Sequence, residues 1–235
     1  MLEVRGLHTY YGDAHILRGV ALSVPKGRVV ALLGRNGMGK TTLIRSIMGL
    51  SPPNVREGSI VYAGAELRGL PPHAIAGKRI GLVPQGRRLF ASLTVTEHLT
   101  MVARRANGAG AWTAARIFEL FPRLAERKEH RGSQLSGGER QMLAVARALM
   151  LNPELLLMDE PSEGLAPVMV QHLEGIIARL RDTGLGILLV EQNLYSALAV
   201  ADNVYLMETG VIVHQSSAEA LRGDRETMQR FLGVK

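Results

Sequence analysis

The chain has no cysteine among its 235 residues, which excludes disulfides and thiolate-bound metals. Aromatic residues make up only 4%. None of them alternate with arginine or lysine in a stripe, which argues against stacking on nucleic-acid bases. No apolar run reaches the ~18 residues that a membrane-spanning helix needs. Met1-Leu2-Glu3-Val4-Arg5 carries neither the basic nor the apolar region of a signal peptide, so a cytoplasmic location is expected. No internal repeat is seen, and the segment after Gly210 is short, so no sizeable regulatory domain is expected there.

The remaining composition is that of an ordinary globular chain. Hydrophobic residues are 46% and charged residues 21%, which excludes extensive disorder. The length fits one large domain able to bury its own core. The net charge of +7 suits a polyanionic partner, whether nucleic acid, anionic lipid or a small polyanion. It suits a merely solvated surface equally well.

Short apolar runs alternate with helical patterns. Val20, Leu22 and Val24 alternate, and continuous apolar runs follow at 29–33, 60–62, 80–83, 155–158, 187–190 and 204–207. Runs of this kind suit strands buried on both faces, as in a parallel sheet. Met169, Leu173, Ile176, Ile177 and Leu180 share one helical face ending near Gly184, so 155–190 reads as a βαβ unit. Residues 94–150 read as mostly helical, without a strand and with a soft Gly-Ala segment at 107–111.

Three motifs carry chemistry. Gly34-Arg35-Asn36-Gly37-Met38-Gly39-Lys40-Thr41 fits the phosphate-loop pattern at every fixed position. It follows an apolar run and opens a helical pattern from Lys40 to Gly49, as that motif requires. Glycines let backbone N–H groups curl around phosphate oxygens, and the helix start adds its dipole. Lys40 would hold the β- and γ-phosphates, and Thr41 would bind Mg²⁺. The run 155–158 ends in Asp159-Glu160, where a parallel strand faces its ligand crevice. Asp159 would organise Mg²⁺, and Glu160 would activate the attacking water as general base. Finally, Leu135-Ser136-Gly137-Gly138-Glu139 opens a helical pattern to Met150. Ser136 and Glu139 have capping-box spacing, and the glycines leave N–H groups open to a second anion. Whose phosphate that second site would bind is open at this point.

In order and spacing, these three motifs resemble the ATP-binding subunits of ABC transporters over essentially the whole chain. The resemblance implies one α/β domain: a P-loop NTPase with a RecA-like, mostly parallel core, an antiparallel β subdomain and an inserted α-helical subdomain. Residues 1–90 and 150–235 would form the nucleotide-binding core and the N-terminal β subdomain, and 91–149 the helical signature subdomain. ATP and Mg²⁺ are implied. In the family two subunits join head to tail, so Ser136, Gly137 and Gly138 would serve the partner's ATP. The chain's own ATP would meet Gly34, Arg35, Asn36, Gly37, Met38, Gly39, Lys40, Thr41 and Thr42. Tyr11 is similar to the aromatic that stacks on adenine, with Tyr10 the alternative. Gln85 resembles the loop glutamine that senses Mg²⁺ and the membrane partner. The implied partners are a second ATP-binding subunit (a sister or a second copy), two transmembrane permease subunits and, indirectly, a solute-binding protein. The implied place is the cytoplasmic face of the membrane, where a basic surface suits an anionic leaflet. No nucleic-acid partner is expected: only 94 residues separate Thr41 from Ser136, too few for the coiled-coil insertion of chromosome or repair ATPases.

Two positions depart from the family pattern. Gln192 stands where a histidine usually contacts the γ-phosphate; its amide can donate a hydrogen bond but cannot carry charge. Ala166 stands where an inter-subunit aspartate is usual. The strings at 84–90, 160–167 and 189–193, with Phe231-Leu232-Gly233, resemble one branch, the second ATP-binding subunit of branched-chain amino acid importers. Urea and short-chain amide importers use similar subunits, so the solute stays open between them.

Overall fold

The first strand, β1 (Leu2–Tyr11), buries Leu2, Val4, Leu7 and Thr9, and its alternation slips phase between Val4 and Leu7. A bulge against β2 (Ala14–Val24) lies at that slip, which hides the strand from a period-2 reading. Next come β3 (Val29–Leu33), α1 (Lys40–Ile47), β4 (Asn54–Tyr62) and the short β5 (Ala65–Glu66). Strands in the order β2-β1-β4-β5 form an antiparallel sheet. Gly58 sits where β4 crosses the bulge. Its φ is +89°, and a Cβ there would lie 2.4 Å from the Gly6 carbonyl oxygen, so only glycine lets the strands close. The computed structural model describes residues 1–103 and 110–232.

The second sheet follows α2 (Pro72–Gly77) and starts with β6 (Ile80–Val83). A helical stretch comes next: α3 (Val95–Thr100), α4 (Ala114–Leu120), α5 (Pro122–Glu126) and α6 (Gly137–Leu149). Then β7 (Leu155–Asp159), α7 (Pro167–Asp182), β8 (Gly186–Glu191), α8 (Leu194–Val200), β9 (Asn203–Glu208), β10 (Val211–Ser217), α9 (Ala218–Gly223) and α10 (Arg225–Leu232) complete the order. The sheet runs β10-β9-β3-β8-β7-β6, parallel except for the edge strand β10. Every residue of β3, β7 and β8 is buried, because helices cover one face and the other meets α1 and the antiparallel sheet. This is the α/β fold of a P-loop NTPase.

Hydrophobic clusters cover both faces of the parallel sheet. On one face Trp112, Phe121, Leu143, Leu156 and Ile177 join the helical segment and α7 to the sheet. On the other, Leu2, Leu17, Leu43, Leu157 and Leu188 join α1 and the antiparallel sheet to it. Between 94 and 150 the described residues hold no strand, only an isolated bridge between Thr94 and Arg131. Most of the Gly-Ala segment at 107–111, and Gly233, lie outside the described residues. The helix opened by Lys40 stops at Ile47 rather than Gly49, since Gly49 turns left-handed at φ +63°.

Candidate functional site

The phosphate loop leaves β3 at its carboxyl end. Gly37 and Gly39 hold φ +79° and +104°, and Gly39 opens α1 without any side-chain cap, so its first N–H groups stay available. Packing also demands glycine at Gly34: a Cβ there would sit 2.5 Å from the Met207 carbonyl oxygen on β9. Met38 anchors the loop from behind, its carbonyl accepting from Gly210 N–H at 3.0 Å. Arg35 and Asn36 are exposed, Thr42 is buried and Thr41 half-buried.

Lys40 is buried under this loop. Its ammonium donates to the carbonyls of Gly34 (2.8 Å) and Arg35 (3.0 Å) and pairs with Glu160 Oε1 at 2.9 Å. Glu160 lies just beyond β7 in the left-handed region, at φ +48°, with its own N–H donating to Val190 O. A non-glycine residue held there by its surroundings marks stored strain of a kind concentrated at functional sites. Gln85 Nε2 donates to Glu160 Oε2 at 3.2 Å and to Glu163 Oε2 at 2.9 Å.

Asp159, at the end of β7, accepts from Thr41 Oγ1 at 3.1 Å. Burial raises its carboxyl to about 6, with the Glu160 charge adding to the rise and Thr41 and Lys40 opposing it. The two oxygens suit Mg²⁺: adjacent ligands of an octahedral ion at ~2.0–2.1 Å stand ~2.9 Å apart. Among the described residues no group of three or more histidine, aspartate or glutamate side chains could hold a metal by itself.

A cavity of about 390 Å³ adjoins these groups, bounded by Tyr11, Ile16, Gly37, Lys40, Thr41 and Gln85. Tyr11 is exposed at its rim. Tyr10 does not line it; its ring is stacked on His15 at 4.2 Å and covered by the Arg56 guanidinium at 4.2 Å. The site therefore brings together Tyr11, residues 34–42, Gln85, Asp159 and Glu160.

Ser136, Gly137 and Gly138 do not join that cavity. Ser136 caps α6: its hydroxyl oxygen accepts from Glu139 N–H at 3.2 Å, and Glu139 accepts from Ser136 N–H at 2.8 Å. This leaves the hydroxyl proton free to donate outward. At Gly138 a Cβ would lie 2.7 Å from Met169 Cε on α7, so a larger residue there would need that flexible side chain to move.

Gln192 is exposed just beyond β8. It lines a second cavity of about 290 Å³ together with Glu160, Glu163 and Glu191. Ala166 begins α7 without a side-chain cap. Three contributors escaped sequence reasoning. Arg87 donates to the Glu163 carbonyl at 3.3 Å and lies beside Gly137, linking three loops. Glu163 holds Gln85. Glu191 is a buried carboxylate whose burial pushes it above the usual range, opposed by hydrogen bonds from Ser162, Gln192 and Asn193. An acid closing an apolar run at 187–190 was the available signal for Glu191.

A strand–loop–helix cradle, a buried lysine beneath it and an acid pair at the neighbouring strand end define a nucleotide-hydrolysing cassette. The chain belongs to the ABC transporter family, whose pattern matches residues 17–163, and it is an ATP-hydrolysing ATP-binding subunit. Tyr11 and Gln192 lie outside the matched span. Across 99% of its length the chain is 44% identical to all of the high-affinity branched-chain amino acid transport ATP-binding protein BraG of Pseudomonas aeruginosa. It is 37% identical, over 100% of itself and 99% of the other chain, to the probable branched-chain amino acid transport ATP-binding protein LivF of Archaeoglobus fulgidus. The crystal structure of a nucleotide-free ATP-binding cassette from an ABC transporter superposes with a TM-score of 0.84 at 24% identity, covering 100% of this chain and 99% of that one.

Proposed function

We propose that the chain energises import of branched-chain amino acids from the cytoplasmic face of the membrane, as one of two ATP-binding subunits beneath two transmembrane permease subunits. A solute-binding protein would deliver the solute; the chain itself would never touch it. The end-to-end similarity to BraG supports this choice of solute over urea or a short-chain amide. Among the described residues no helix is long and apolar enough to cross a membrane, so the attachment would come through the partners.

The observation that carries the chemistry is the contact of Lys40 with Glu160 beside the Thr41–Asp159 pair. ATP would lie with adenine on Tyr11 and its phosphates along 34–42. Lys40 would exchange its loop carbonyls for the β- and γ-phosphates. Thr41, Asp159 and Gln85 would hold Mg²⁺, which supplies charge neutralisation at the phosphate oxygens. Glu160 would take a proton from the attacking water as it adds to the γ-phosphorus and ADP departs. Gln192 would donate a neutral hydrogen bond to the γ-phosphate. Ser136 and Gly138 would reach the nucleotide of the neighbouring subunit, an arrangement supported by their absence from this chain's own cavity. Residues 91–149 would form the unit that docks on the permease.

Closure would depend on ATP binding the joined subunits better than the separated ones, and hydrolysis would release them. Isolation of the native complex from membranes, followed by uptake competition among leucine, urea and a short-chain amide, tests the reading. Competition by leucine alone is expected; competition only by urea or the amide would overturn the choice of solute.

A further inference from the structure

Glu191 ends β8 with its carboxylate buried, 3% exposed, and its two oxygens turned to different loops. Oε1 accepts from Ser162 N–H at 2.9 Å, and Oε2 accepts from Gln192 N–H at 3.2 Å. Ser162 lies two residues beyond Glu160. Glu160 is thus pinned on both sides to the end of β8: its own N–H donates to Val190 O at 2.9 Å, and the chain just after it is held by Glu191. Such double anchoring is what a left-handed glutamate needs to keep its strained backbone.

We infer that Glu191 is a positioning residue for hydrolysis, a carboxylate clamp that fixes the general base Glu160 and the γ-phosphate contact Gln192 in one geometry. It rests on the reading of Glu160 and Gln192 proposed above. Glu191 does not line the cavity bounded by Tyr11 and Lys40; its oxygens are turned to the amides of Ser162 and Gln192. The chemistry also explains why a carboxylate is required. All of its partners are donors, and an acceptor-only group satisfies them together. A glutamine there would turn one N–H₂ toward a donor and lose one side of the clamp. An aspartate is one methylene too short to span both loops. The role matters more with Gln192 than it would with a charged residue, because a neutral hydrogen bond depends strongly on alignment.

The test uses the chain assembled with its permease and sister subunits in lipid discs, with ATPase kinetics and binding of a fluorescent ATP analogue. Glu191→Gln is expected to lower kcat about 10- to 100-fold, the scale of losing hydrogen bonds to a charged group, while KM and analogue affinity stay within about twofold. Glu191→Asp is expected not to restore kcat. The double variant Glu191→Gln/Gln192→Ala is expected to be no worse than the poorer single variant, since both act through one placement. An unchanged kcat, a KM that rises in step, or losses that multiply would overturn the clamp. Hydrogen exchange of the unsubstituted complex tests the same point without a variant. Slow exchange of the Ser162 and Gln192 amides is expected, and fast exchange of either contradicts it. If Glu160→Gln leaves turnover intact, the hydrolytic reading and the clamp fall together. If Glu160→Gln abolishes turnover while Glu191→Gln spares it, the clamp alone falls.

Discussion

Lys40 Nζ stands 2.9 Å from Glu160 Oε1, with the two side chains 3% and 8% exposed. The residue that would grip phosphate and the residue that would activate water are therefore one buried ion pair. Removing one partner of such a pair leaves an uncompensated buried charge, at a cost of about 3–5 kcal/mol. Lys40→Ala should lower stability by part of that amount, since Gln85 still donates to Glu160. It should also abolish nucleotide binding. Thermal melting and titration calorimetry check both, and unchanged ATP affinity would remove Lys40 from the site.

Glu160→Gln should behave differently. Lys40 keeps two carbonyl acceptors, so stability should change less than in Lys40→Ala. Turnover should fall about 10²- to 10⁴-fold, the usual contribution of a general base. ATP affinity should survive, and gel filtration with ATP should show an ATP-trapped assembly. Hydrolysis at the original rate would end the role assigned to Glu160.

For Gln192→Ala the expected loss is smaller, on the order of one neutral hydrogen bond, about 0.5–1.5 kcal/mol. Single-turnover kinetics against Glu160→Gln provide the comparison. A larger loss of kcat at Gln192 would make it the principal catalytic residue.

Much of this site is legible in the sequence because its motifs are local. Residues 34–41 specify a turn that only glycine can make, and 135–139 specify a helix start. Strands β3, β7 and β8 read as apolar runs because both of their faces are buried. The strands that escape are those whose pattern is broken or one-sided. In β1 a bulge breaks the phase, and β10 is an edge strand with a weak alternation of half-buried and exposed residues. Contacts among distant loops are equally silent. Nothing near Ser162 announces Glu191, and nothing near Gly137 announces Arg87, because tertiary approach alone joins them.

His98 gives a dependence on pH. Its ring is fully buried; Nδ1 lies 2.7 Å from Thr94 O and Nε2 accepts from Phe90 N–H at 3.0 Å. Nε2 must therefore be unprotonated, and Nδ1–H donates to the carbonyl. Burial lowers this imidazole below the ordinary 6.5. The folded value lies below the unfolded one, so the stability it contributes is full above about pH 6.5 and is lost as pH falls through the folded value. An NMR titration should find His98 still neutral near pH 6.5, with protection of the Phe90 amide failing at lower pH. A ring half protonated at 6.5 would contradict this.

The central claim is that one nucleotide is held by two subunits. The most direct measurement is the structure of the membrane complex carrying Glu160→Gln with Mg²⁺ and ATP. The Ser136 hydroxyl and Gly138 N–H are expected within about 3 Å of the γ-phosphate cradled by the neighbouring ATP-binding subunit. Residues 135–139 facing solvent, away from any nucleotide, would contradict the account.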